Sequence, residues 1–328
     1  MIDRNFPPPP PGEGRGGGDG GGYYNYPVIR RPVWTWEIPV YFWLGGIAGG
    51  AYVTASLAQN LGSAEDRRYA ADGFYLAALA VLPCAPLLTA DLGRPERFHH
   101  MLRIFKPLSP MNLGAWTLTA FAPLTVARAV ARAAETGLLR GSLRSLTRLI
   151  PKTLIELTGT VFGLTLAGYT GVLLAATNVP LWAKSKLLGG VFMASAMSSG
   201  SAAVALAAAR RDAPDAILHR LATIESAASV GEMAMLTGYL AQSGKTARPL
   251  TSGRLSAPFW LGAVGAGTLL PLLLHRMAGS RQGRPLRILS GSAALCTIAG
   301  SLALRWTIFE AGKVSSEDQA ASFELSSD

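Results

Sequence analysis

Apolar residues run through this chain in long blocks, broken by short stretches rich in arginine, proline and glycine. A helix that crosses a bilayer needs about 20 mainly apolar residues. Eight blocks meet that length: 36–60, 70–91, 111–134, 151–178, 186–209, 215–242, 256–278 and 286–311. A membrane barrel would instead show short segments of strict alternation. The pattern predicts an all-α, polytopic membrane protein with eight transmembrane helices over residues 34–312. A Pro/Gly-rich tail (1–33) precedes it and a polar tail (313–328) follows. An even number of crossings puts both termini on one face, here called face A, with the loops 92–110, 179–185 and 243–255. Loops 61–69, 135–150, 210–214 and 279–285 fall on the opposite face B.

Composition agrees. The 328 residues are 49% hydrophobic and 15% charged, against about 25% charged in a soluble globular protein. The net charge of +10 could indicate nucleic acid. The basic residues, however, concentrate in the short segments between apolar blocks, which is a topology signal. Face B carries Arg67-Arg68, Arg140, Arg144, Arg148, Lys152, Arg210-Arg211 and Arg276, Arg281, Arg284, Arg287. Face A carries fewer outside its tail: Arg94, Arg97, Arg103, Lys106, Lys245, Arg248 and Arg254. Face B is therefore expected in the cytoplasm and face A outside. Residues 1–33 cannot bury a core and are expected to be disordered. Arg30-Arg31 is not followed by a signal-peptide pattern. Cys84 and Cys296 have neither disulfide-framework nor iron–sulfur spacing and are expected as small core residues.

Two faces of small residues predict close helix packing: GGIAGGA in the first span, and Ser195, Ser198, Ser199, Gly200 and Ser201 in the fifth. Ionisable groups inside spans are expensive and mark candidate function. Glu37, Asp91, Arg94 and Glu310 sit at face-A ends. Glu156, Glu225, Glu232 and Arg305 lie deeper, and Asp72, His219 and His275 sit near face B. Glu225 and Glu232 are two helical turns apart and share a face. They form, with His219, either a proton route or, with Arg305, a structural pair. Tyr169 lies level with Glu37 and Asp91, either as an interfacial belt residue or as a hydrogen-bond donor to a quinone. His219 and His275 could in principle ligate one haem.

The motifs WEIPVYFWLGGIAGGA, ADLGRPERF, SPMNLGAW and GYTGVLLAATNVPLW occur in this order over about residues 34–200. They resemble the integral-membrane subunits of the polysulfide reductase/NrfD family. The resemblance implies eight helices in two four-helix bundles, without haem or an iron–sulfur cluster in this chain. It also implies a menaquinone or ubiquinone site near one membrane face. A four-cluster iron–sulfur subunit would dock there and connect to a catalytic, often molybdopterin-dependent, subunit. Carried over, Tyr169 contacts the quinone, Trp36, Glu37, Tyr41, Gly45 and Gly46 surround it, and Asp91 and Arg94 form the rim. Glu156, His219, Glu225, Glu232 and Arg305 fall on a polar proton route.

Residues Arg97, His99, His100, Arg103 and Lys106 then read as the docking surface for the partner. The expected location is a bacterial inner membrane, in contact with lipid and not with nucleic acid. The function expected is a quinone-binding anchor of a respiratory oxidoreductase. The alternative is a proton-translocating module of an assembly like alternative complex III.

Overall fold

Charge, proline and capping groups divide the apolar blocks into helices. The computed structural model describes residues 32–139, 145, 147 and 151–317. The predicted tails, apart from residues 32–33 and 313–317, lie outside the described residues, as do Arg140, Arg144 and Arg148. The long elements are α1 (Glu37–Leu61), α2 (Ala64–Ala90), α3 (Pro110–Glu135), α4 (Lys152–Ala175), α5 (Leu188–Arg210), α6 (Asp215–Ser243), α7 (Pro258–Ala278) and α8 (Gly283–Ser315). No strand occurs among the described residues.

Most boundaries fall within a few residues of the expected ones, and two do not. Helix α2 begins at Ala64, six residues before the expected 70. A capping box accounts for it: the Asp66 amide donates to the Ser63 hydroxyl (3.3 Å) and the Ser63 amide donates to Asp66 Oδ2 (2.8 Å). This stabilises a polar first turn that hydropathy passes over. The helix then tightens to 3₁₀ geometry at Ala70–Asp72 and is interrupted at Leu82–Pro83. Helix α8 runs to Ser315, beyond the expected 311. Helix α7 is π-helical over Pro258–Leu269, a rare geometry over such a length.

Seven helices among the described residues are long and apolar enough to cross a membrane. Helix α6 is 29 residues long but falls outside that group, since Glu225 and Glu232 occupy its middle. Its ends nevertheless meet the two ends of the molecule. At one end the Gly283 amide donates to Asp215 (2.9 Å) and Arg220 pairs with Asp66 (3.1 Å). At the other, the Tyr239 hydroxyl donates to the Leu181 carbonyl (2.9 Å) and Ser185 to Gln242 (2.7 Å).

Helix α1 is the central element and packs against α2, α4, α5 and α8. The predicted small-residue faces meet there. A Cβ on Gly50 would lie 2.0 Å from the Ala196 carbonyl oxygen, and one on Gly200 would lie 2.3 Å from the Ala51 nitrogen. The α1 and α5 backbones therefore touch, and no larger residue fits at that crossing. Outward-facing Leu57, Leu79, Leu157, Val161, Leu261 and Leu295 remain exposed, a band that suits lipid and not water. The chain is a multi-pass membrane protein.

Candidate functional site

Four elements converge at face A. The Thr35 amide and hydroxyl both donate to Asp91 Oδ1 (2.9 Å each), tying the start of α1 to the end of α2. Trp34 stacks on Trp182 (6.1 Å between centroids), which stacks on Phe309 of α8 (5.8 Å). Beneath this closure, between α1, α2, α3 and α4, lies a cavity with about 930 Å³ of empty space, its mouth included. Its walls are mainly apolar, with Ile38, Phe42, Leu88, Leu118 and Leu173 among them, and the Pro95–Leu102 segment adds Phe98, Met101 and Leu102.

Two phenols face this space, Tyr41 from α1 and Tyr169 from α4. Both are buried, at 1% and 7% exposure. Neither hydroxyl has a hydrogen-bond partner among the described residues, although buried hydroxyls are normally paired. Gly114 makes room for Tyr169: a Cβ there would sit 2.1 Å from the Tyr169 hydroxyl oxygen. Asp91 closes the polar side of the wall. A roomy apolar slot with a few convergent polar groups is the usual form of a small-molecule site.

Of the eight residues predicted around a ligand, the cavity wall contains Tyr41, Asp91 and Tyr169. Glu37 stands one step back, bonded to the Thr35 hydroxyl that also bonds Asp91. Gly45 backs Tyr41 and Leu166. The other three lie elsewhere. Gly46 faces α8, because a Cβ there would lie 2.7 Å from Arg305 Nη2. Trp36 is 56% exposed and Arg94 is exposed. The motif resemblance carries these residues to the neighbourhood of the pocket but does not set their direction. Gly114 and the apolar wall from 98–102 do not stand out in the sequence, although SPMNLGAW contains the glycine.

The predicted docking residues form one exposed surface. Arg97, His99 and His100 lie on the 3₁₀ segment Pro95–Leu102, with Arg103 and Lys106 just after it. The carboxamide of Asn112 pins this loop. It donates to the carbonyls of Met101 (2.7 Å) and Ile104 (3.0 Å) and accepts from the Lys106 amide (2.7 Å). The same segment thus presents Phe98 and Met101 to the cavity and basic groups outward.

The deep ionisable residues separate into distinct groups rather than one route. Glu156 on α4 accepts from Arg128 Nε (2.6 Å) and from the Asn60 carboxamide (3.0 Å). Arg128 is fully buried on α3, with its guanidinium 4.2 Å from the Phe74 ring centre. Hydropathy passes over it, because α3 reads as one apolar block. Around it Arg132 pairs with Asp72 (3.2 Å), and Glu135 pairs with Lys152 (2.9 Å).

In the other half of the molecule, Glu225 accepts from Thr297 (2.6 Å), and its second oxygen lies 3.1 Å from His275 Nε2. Glu232 accepts from Ser198 (3.2 Å). Arg305 donates to Ser195 (3.0 Å) and to the Ser301 and Phe192 carbonyls (3.0 and 3.1 Å). Glu232 and Arg305 make no direct salt bridge; serines of α5 stand between them. His219 is half-buried and bonds to neither glutamate.

Comparison with known proteins finds relatives along most of the chain. The protein is 28% identical to the C subunit of polysulfide reductase from Wolinella succinogenes over 306 residues, covering 86% of this sequence and 94% of that one. It is 27% identical to protein NrfD of Escherichia coli over 310 residues, 86% of this sequence and 95% of that one. The family model described as polysulphide reductase, NrfD, matches residues 26–316, and the chain is therefore a multi-pass membrane protein belonging to the polysulphide reductase NrfD family.

Proposed function

We propose that this chain is the quinone- and quinol-binding membrane subunit of a respiratory oxidoreductase, exchanging electrons with an iron–sulfur subunit docked at face A. The observation that carries this reading is the face-A cavity, with two phenol hydroxyls that no group among the described residues receives. The residues fit the ligand. A flat apolar ring suits the walls, and two donors suit two carbonyl oxygens. A bound quinone would supply two-electron chemistry coupled to proton transfer at those oxygens.

The protein's own groups do the rest. Tyr169, seated by Gly114, and Tyr41 orient the ligand through their hydroxyls. Ile38, Leu118 and Leu173 exclude water. Asp91, with Thr35 and Glu37 behind it, holds or passes a proton between the pocket and face A. The basic, aromatic loop 95–106 offers a cationic platform for a partner, in this reading the four-cluster iron–sulfur subunit that leads to a molybdopterin-type catalytic subunit.

Helix α6 serves as an eighth crossing in this reading, because it links both ends of the molecule. Helices α1–α4 and α5–α8 then make two four-helix bundles in a bacterial inner membrane, with face A outside. In the intact complex, Tyr169→Phe should lower quinol-dependent turnover about tenfold, the upper range for one lost hydrogen bond, and Asp91→Asn should act similarly. Electron delivery from an artificial donor to the catalytic subunit should be unaffected. Unchanged quinol turnover in both variants means that the pocket is wrong.

A specific observation favours a second reading, a proton-translocating module. Glu225 with Thr297 and His275, Glu232 with Ser198, and Arg305 with Ser195 form successive polar groups along α6 and α8, and the last abuts α1 at Gly46. Proton uptake measured in liposomes should fall in the Glu225→Gln, Glu232→Gln double variant under this reading and stay unchanged otherwise.

A further inference from the structure

Between α6 and α7, near face B and away from the face-A pocket, runs an open groove with about 1710 Å³ of empty space, the open solvent at its mouth included. From residue 219 to residue 230 it follows α6 for about 16 Å, at the helical rise per residue. Most of its wall is apolar: Val230 on α6, with Leu269, Leu272 and Leu273 on α7. Val230 and Leu273 are 58% and 59% exposed and continue the lipid-facing band.

The face-B end has a different character. His219, His275 and Arg276 line it. His275 is only 9% exposed, yet neither ring nitrogen has a hydrogen-bond partner. Its Nε2 lies 3.1 Å from Glu225 and its Nδ1 is buried, so this ring backs the wall of the groove. Arg276 is exposed, and no carboxylate among the described residues comes within salt-bridge range of it. An apolar trough ending in Arg276 and His219 at the arginine-rich face matches one kind of occupant.

We propose that this groove binds a phospholipid with an anionic headgroup. An acyl chain lies along Val230, Leu269 and Leu273, and headgroup oxygens meet Arg276 and His219. Basic pockets between membrane helices on the arginine-rich face recognise anionic headgroups in this way, through charge-assisted hydrogen bonds. The proposal stands apart from the quinone reading, since none of these residues touches the face-A pocket.

The test uses the purified intact complex in detergent, titrated with phosphatidylglycerol, with phosphatidylcholine or with inorganic phosphate, and retained lipid is counted by native mass spectrometry. Wild type should retain phosphatidylglycerol in preference to phosphatidylcholine. Arg276→Gln should lower phosphatidylglycerol retention about fivefold, the usual worth of one surface cation. Leu273→Trp, which narrows the trough and leaves the basic end intact, should lower retention of both lipids. Equal retention of the two lipids, unchanged retention in Arg276→Gln, or displacement of phosphatidylglycerol by inorganic phosphate would overturn the proposal.

Discussion

The face-A pocket and the cluster around Arg128 both place polar groups inside apolar helices, and they handle those groups in opposite ways. At the pocket, Tyr41 and Tyr169 keep hydroxyls without partners among the described residues. Around Arg128, three cations (Arg128, Arg132, Lys152) meet three carboxylates (Glu156, Asp72, Glu135) within ion-pair range, at 2.6–3.7 Å, although Nη1 and Nη2 of Arg128 have no hydrogen-bond partner of their own among the described residues. A polar group matched by the protein holds helices together. One left open inside a roomy cavity is available to something else. The sequence marks both kinds alike, as costly residues in spans; partner geometry tells them apart.

The largest expected effect breaks the matched side. Arg128→Ala leaves Glu156 buried without its cation, which should destabilise the protein by about 3–5 kcal/mol. Thermal unfolding of the solubilised protein should show a pronounced drop in Tm. Replacing both partners, as Arg128→Met with Glu156→Met, should recover most of the loss, because buried pairs are often no better than apolar residues of similar volume. If Arg128→Ala unfolds like wild type while quinol turnover collapses, the cluster is functional and the comparison fails.

A smaller effect is expected on the open side. Gly114→Ala puts a methyl group where the Tyr169 ring now lies, and overpacking of this kind costs about 1–3 kcal/mol. The ring must move, so quinol-dependent turnover should fall about tenfold or more, while Tm falls less than in Arg128→Ala. A variant that keeps full turnover would show that the position of Tyr169 is immaterial.

How far the sequence reaches follows the same line. Apolar block length locates the long helices, because membrane crossing depends on length and composition. It places the start of α2 late, since the turn capped by Ser63 and Asp66 is polar. Asp91 and Tyr169 stand out as an acid and a hydroxyl at the ends of apolar spans, whereas Tyr41 enters only through the motif resemblance. The motif resemblance carries Gly46 to the pocket, whereas it faces Arg305 and Ala196, since a motif fixes position in the helix but not which neighbour each residue meets. Gly114, Phe98 and Met101 are invisible as site residues for another reason. They act by shape, and an apolar wall carries no chemical mark. Arg128 escapes notice because α3 reads as one apolar block, whereas its guanidinium points inward to Glu156.

The smallest effect sharpens the comparison at its boundary. Asn112 lies beside the pocket, yet its carboxamide is fully engaged with Met101, Ile104 and Lys106. By the rule above it should act as a matched, structural group even there. Asn112→Ala frees the loop that supplies Phe98, Met101 and Leu102 to the cavity wall. These bonds are largely exposed, so their joint loss should amount to about 1 kcal/mol, or roughly a fivefold rise in the KM for quinol. With the tyrosines in place, kcat should stay near wild type, whereas Tyr169→Phe should lower kcat. A fall in kcat with KM unchanged in Asn112→Ala would place this amide among the groups that meet the ligand, and matched geometry would then no longer separate structure from site.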